Sequence, residues 1–228
     1  MNIIVPTSDA DLIAKVRAHL RSSATDGVER RFTPGMVERR AAADGKPGGF
    51  RGYAAVFNSK SENFGSDDYP YFEVIDAGFF DNVLNDDIRC LFNHDQNLIL
   101  GRSKAGKGTC RVSQDATGLG YDCEASEISY ARDLGISIDR GDVTQSSFAF
   151  RITDDGDRLV VENGIVTRTL KKGGCARLYD VSPVTYPAYA ATEVALRELR
   201  GLRKPTQPTF NPNATVIRAR ELDLASAE

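Results

Sequence analysis

Through the middle of the chain, apolar positions come in short runs separated by turn residues, and runs of this length predict strands rather than helices. Residues 50–57, 71–75, 88–92 and 98–102 are four such runs. Residues 110–114 and 119–124 flank Asp115-Ala-Thr-Gly118, which predicts a hairpin. Residues 143–152 and 158–161 flank Asp154-Asp-Gly-Asp157, which predicts a second, and 167–170 and 177–181 complete the strands. Helical periodicity is rarer. Leu12, Ile13, Val16 and Leu20 share one face, Ser8 is placed to cap that helix, and Asp9 and Asp11 suit its positive end. Further helices are expected over 76–84, after Ser126 (with Ile128, Ala131, Leu134 and Ile138 on one face) and over 188–199. About eight short strands with two or three helices inserted predict an α+β fold on an antiparallel sheet or a barrel-like core.

The pattern fades at both ends. Residues 21–49 are charged, Gly-rich and without periodicity, which reads as a linker, and 205–215 hold three prolines. The chain therefore divides into an arm at 1–47, a folded domain at 48–199 and a Pro-rich tail at 200–228. At 41% hydrophobic and 27% charged residues, wholesale disorder is excluded. The net charge of −3 conceals an acidic middle, since residues 48–196 carry 15 basic and 22 acidic groups. Such a domain is a poor phosphate binder, so no nucleic-acid partner is expected. No apolar run approaches the roughly 18 residues of a membrane span, and the N-terminus lacks the basic and apolar regions of an export signal. Cys90, Cys110, Cys123 and Cys175 form no CxxC pair, and reduced, partly buried thiols are expected.

Few motifs offer chemistry. Gly101-Arg-Ser-Lys-Ala-Gly-Lys-Gly108 fits GxxxxGK, but glycine stands where a phosphate loop needs Ser or Thr, and a strand pattern follows where a helix should. The aspartate pairs 67–68, 86–87 and 154–155 lack the spacing of a calcium loop, and the middle of the chain holds one histidine, so no metal or other cofactor is expected. His19 reads as a surface residue of the first helix. His94 closes an apolar strand just before a Gln-Asn turn, a place where a sheet presents a reactive group. Ser146 and Ser147 are the serines at the centre of an apolar strand. Alternation puts Ser146 with Phe148 and Phe150 and turns Ser147 the other way, so strand facing alone separates the two as nucleophiles.

The wording of the middle is recognisable. Gly52-Tyr-Ala-Ala-Val-Phe-Asn58, Glu73-Val-Ile-Asp-Ala-Gly-Phe79, Leu91-Phe-Asn-His-Asp95, Asp115-Ala-Thr-Gly-Leu119, Ser147-Phe-Ala-Phe150 and Tyr179-Asp-Val-Ser-Pro-Val-Thr-Tyr-Pro-Ala-Tyr189 follow in order over about 50–196. This stretch resembles the prohead maturation proteases of tailed bacteriophages, serine peptidases with an assemblin-like fold related to herpesvirus proteases. The resemblance implies His94 as general base, Ser147 as nucleophile and Asp180 as the third member, where the family usually carries glutamate. Ala149 stands where it usually carries glycine. It further implies an endopeptidase that cuts scaffolding segments, the major capsid protein and itself inside proheads assembling in a bacterial cytoplasm, with self-association possible. A catalytically inactive assembly protein that kept the fold is the alternative. In the active reading the arms are removable or packaging segments, and the helix at 8–21 is expected to contact capsid or scaffold.

Overall fold

The structure, a computed structural model, describes residues 8–42, 48–124 and 128–185. In chain order the elements are α1 (Asp9–Ser23), β1 (Glu29–Arg40), β2 (Gly49–Val56), β3 (Tyr71–Ile75), β4 (Asp87–Phe92), β5 (Asp95–Lys104), β6 (Lys107–Gly108), β7 (Cys110–Gln114), β8 (Gly118–Glu124), α2 (Ser129–Asp139), β9 (Gln145–Ile152), β10 (Asp157–Glu162), β11 (Ile165–Leu170) and β12 (Cys175–Val184). The helix expected at 188–199 and the tail lie outside the described residues. No helix among those described is long and apolar enough to cross a membrane.

Nine strands form one sheet in the order β6-β5-β4-β12-β9-β1-β2-β8-β7, and β10-β11-β3 form a second. The expected barrel is corrected: the large sheet is open. It curls until β5 lies against the β7–β8 hairpin, so closely that a side-chain carbon on Gly101 would meet the Cys110 Cβ at 3.0 Å. No ladder joins those strands to close the circle. Nor is pairing wholly antiparallel, because β12 runs parallel to β4 and β11 parallel to β3. Phe79, Phe80, Phe148 and Phe150 fill the main core in edge-to-face and stacked contacts.

Three local expectations change. Residues 76–84 form successive turns rather than a helix, with Phe79 N–H on Asp76 O and Val83 N–H on Phe80 O. Gly78, at φ 84°, is in the left-handed region, which interrupts a right-handed helix at its start. β9 and β10 do not form a hairpin. The chain turns at Thr153–Gly156 and leaves for the other sheet, where β10 pairs with β11. At that crossing a Cβ on Gly156 would stand 2.4 Å from Gly174 O, and one on Gly174 2.4 Å from Gly156 O, so the two backbones meet only as glycines.

The largest correction concerns the arm. α1 forms as expected, with Ser8 and Asp11 in a reciprocal capping box. Its apolar face is already used: Leu12, Val16 and Leu20 are buried against Tyr71 and Val166 of the small sheet, leaving that face unavailable to a capsid. His19 is half-buried beside the rings of Tyr69 and Tyr71 rather than out on the surface. The supposed linker contains β1, which pairs with β2 on one side and β9 on the other. The folded unit therefore begins well before residue 48.

β1 escapes a hydropathy reading because two of its inward groups are charged. Arg168 of β11, 1% exposed, bonds Glu29 (2.5 and 2.9 Å), Glu73 (2.8 Å) and Asp157 (2.6 Å). Arg31 bonds the same Glu29 at 2.6 Å and also chelates Glu73, which accepts in addition from the Tyr71 hydroxyl. Burial would raise the Glu73 carboxyl, but the guanidiniums of Arg31 and Arg168 outweigh it and hold the group at about 2.

Candidate active site

His94 comes from a two-residue turn. Phe92 of β4 pairs with Asp95 of β5, leaving Asn93 and His94 as the connection. Their φ angles, 55° and 57°, are those of a type I′ turn, whose twist matches the flanking strands. The pattern placed the turn after His94; it contains His94. Asn93 fixes it in space. Its N–H donates to Pro183 O at 3.0 Å, and its Oδ1 accepts from the backbone N–H and the hydroxyl of Thr185 at 2.9 and 3.2 Å. The turn is thus tied to the end of β12.

The other two groups come from the sheet. Ser147 of β9 stands opposite Phe32 of β1 and Ser182 of β12, while Ala149 stands opposite Arg30 and Asp180. Cross-strand partners share a face, so Ser147, Ala149, Asp180 and Ser182 lie together, opposite the phenylalanines. His94 reaches over this face. Its Nδ1 is 2.6 Å from Asp180 Oδ1 and its Nε2 is 2.7 Å from Ser147 Oγ. The Ser182 hydroxyl donates to the same Asp180 Oδ1 at 2.7 Å. Ser147 has a second acceptor in reach, the Arg31 carbonyl at 2.9 Å. Ser147 is 0% exposed, Asp180 6% and the His94 side chain 9%, which places the three in a water-poor site. Ser146 is equally buried on the other face, with its Oγ 2.8 Å from the Tyr121 hydroxyl.

Reading the residues left out Asn93 and Ser182 as positioning groups. Asn93 carried a signal, since asparagine is favoured at the positive φ that a type I′ turn needs. For the peptidase that the resemblance implies, an Asn93→Ala variant is expected to lower turnover of a peptide substrate about 100-fold, the cost of a displacement near 1 Å, while the thermal midpoint shifts by only a few degrees. Comparing kcat with the melting curve checks this; a loss in both together would mean simple unfolding.

The cysteine expectation is also corrected. Cys110 and Cys123 are joined in a disulfide across the β7–β8 hairpin, with Cα atoms 3.9 Å apart, while Cys90 and Cys175 are free and buried. The register puts the pair face to face. Cys90, Cys110 and Cys123 are the group among the described residues whose ligand atoms lie together, within 4.8 Å, but two of these sulfurs are bonded to each other. Burial, then the nearby Asp180 carboxylate, pushes the Cys90 thiol well above its ordinary range, so it is a poor nucleophile. The GxxxxGK segment is the end of β5, a turn and the short β6, and the strand β7 follows it where a phosphate loop needs a helix.

A family model described as caudovirus prohead serine protease matches residues 36–205. The chain belongs to that family. The match begins inside β1 and includes His94, Ser147 and Asp180, whereas α1 and the first half of β1 lie upstream of it. Comparison with curated proteins and with solved structures finds no match for the chain. Membership implies a serine peptidase of phage prohead assembly.

Proposed function

We propose that the protein is a capsid-maturation serine endopeptidase with Ser147 as nucleophile, His94 as general base and Asp180 as the group that orients the imidazole. The observation that supports this most is the unbroken Asp180–His94–Ser147 chain of 2.6 and 2.7 Å contacts. As a carboxylate, Asp180 accepts from Nδ1–H, and Nε2 is left with the lone pair that the serine proton needs. Oγ then attacks the scissile carbonyl carbon as its proton moves to Nε2. The tetrahedral intermediate collapses, the amine leaves with that proton, and an acyl ester remains on Ser147. Water, deprotonated by the same histidine, releases the acid. General-base help of this kind contributes about 10²–10⁴-fold. Ser182 holds Asp180 in place, and the type I′ turn holds His94.

The substrates in this reading are scaffolding segments and the major capsid protein inside the prohead, in the host cytoplasm, and the chain itself. One feature favours a second reading, an inactive assembly protein. Ser147 is fully covered, so a carbonyl reaches Oγ only after neighbouring groups part. A fluorophosphonate probe separates the two. Tandem mass spectrometry is expected to find one adduct, on Ser147, and co-expression with the capsid protein is expected to yield discrete cleavage products. Absence of both adduct and products, in a protein that is folded by circular dichroism, would favour the inactive form.

A further inference from the structure

Beside His94 and Asp180 a cleft of about 540 Å³ opens on the same face of the sheet. Its wall is rich in arginine, in a chain whose net charge is negative: Arg30, Arg89 and Arg177 all line it. Two of these are engaged. Arg89 donates to Asp87 at 2.6 Å, and Arg177 lies 3.7 Å from Asp86 and over the Tyr179 ring. The acidic groups are engaged too, because Asp87 also takes two bonds from Arg102 and Asp180 holds His94 and Ser182. Arg30 differs. Among the described residues its side chain has no carboxylate partner, and its Nε is buried without any acceptor. A guanidinium that lines a cleft and has no carboxylate of its own is free to take an anionic partner there.

Register fixes where that anion would sit. Arg30 is opposite Ala149, and Ala149 is opposite Asp180. Neighbouring strands are about 4.8 Å apart and Ala149 is two residues along from Ser147, so the guanidinium is within about two substrate residues of the scissile bond. Ala149, between Arg30 and Asp180 in the ladder, lines the same cleft.

We propose that this cleft is a specificity subsite for an acidic side chain of the peptide substrate, Glu or Asp at or within two residues of the scissile bond, and that Arg30 is the residue that selects it. The proposal rests on the endopeptidase reading above. Arg30 lies upstream of the segment that the family model matches.

The test is hydrolysis of a peptide set in which each position near the cut carries Glu, Asp, Gln, Ala or Lys. The wild type is expected to prefer Glu or Asp at one position by roughly ten- to a hundredfold in kcat/KM over the isosteric Gln or Asn, the range of a charge-assisted hydrogen bond. Arg30→Gln is expected to bring that ratio close to one, Arg30→Lys to keep part of it, and Arg30→Glu to shift the preference to Lys. A merely structural arginine would change rates without reversing the charge preference. A flat profile in a wild type that cleaves the set overturns the subsite and leaves the peptidase reading standing, as does an acidic preference that survives in Arg30→Gln. No cleavage of any peptide together with no fluorophosphonate adduct on Ser147 sinks the peptidase reading and the subsite with it.

Discussion

Ser147→Ala is expected to remove hydrolysis of peptides and capsid protein by at least about 10³-fold and to leave the protein folded. The residue sits in the middle of β9, where the backbone ladder to β1 and β12 does not depend on the hydroxyl. Loss of Oγ takes away the atom that attacks, while the cavity left is smaller than a methyl group, so the melting curve should move little. His94→Ala is expected to fall just as far, and the double variant no further, because the two act as one unit. Asp180→Asn should lose somewhat less, by presenting the wrong hydrogen-bonding partner to Nδ1. Ser146→Ala is the informative contrast. Its hydroxyl bonds Tyr121 on the far face, so it should keep activity and cost about 1–2 kcal/mol of stability at most. Initial rates on a peptide, with urea unfolding curves for each variant, decide the matter. If Ser146→Ala were inactive and Ser147→Ala active, the assignment of the nucleophile would be wrong.

The second large effect is on stability, at the buried charges between the two sheets. Arg168→Ala would leave Glu29 and Glu73 facing each other with only Arg31 between them, and breaking a buried network from one side typically costs about 3–5 kcal/mol. That is a large share of the stability of any single domain. The pH dependence follows from Glu73. Its folded-state value of about 2 lies below the ordinary glutamate value of 4.5, so the unfolded chain binds the proton more readily. Stability from this group is therefore complete above about pH 4.5 and is lost as the pH falls toward 2, by something on the order of 3 kcal/mol. Urea midpoints of the wild type should drop steeply across that window. In Glu73→Gln the baseline stability should be lower and the slope shallower. Equal slopes would assign the acid sensitivity to other carboxylates.

Those charges also explain which parts of the fold were legible. Hydropathy marks β2, β3, β4 and β9 because most of their buried positions are Phe, Tyr, Ile, Leu, Ala or Cys. It misses β1, whose inward Glu29 and Arg31 are buried only because Glu73 and Arg168 arrive from strands distant in sequence. A charge neutralised by a remote partner looks solvated when read along one chain. The missed crossing between β9 and β10 has a similar origin: the same Asp-Asp-Gly-Asp turn chemistry serves a hairpin or a change of sheet, and the choice lies in the contact of Gly156 with Gly174. The Cys110–Cys123 bond, by contrast, was within reach. A hairpin pairing Gln114 with Leu119 necessarily sets residue 110 opposite 123. At the candidate site, alternation had already turned Ser147 away from Phe148 and Phe150. It carried no information on how far a histidine 53 residues earlier would reach, because that is set by the turn at Asn93–His94.

The position of β1 inside the large sheet, between β9 and β2, also limits where this chain tolerates a cut. Its Arg31 carbonyl touches the Ser147 hydroxyl, its Arg31 side chain joins the buried charges, and its Phe32 stands beside Ser147 in the ladder. A cut in the short connection between Ser23 and Glu29 would sever only the covalent link to α1, which is still held by its own apolar face. A cut a few residues later would split a strand that braces the reacting groups. Proteolysis from the N-terminal side, by any protease, thus meets a limit at β1: short of it the molecule can be nicked and persist, and past it a cut breaks the strand that holds Ser147 in place.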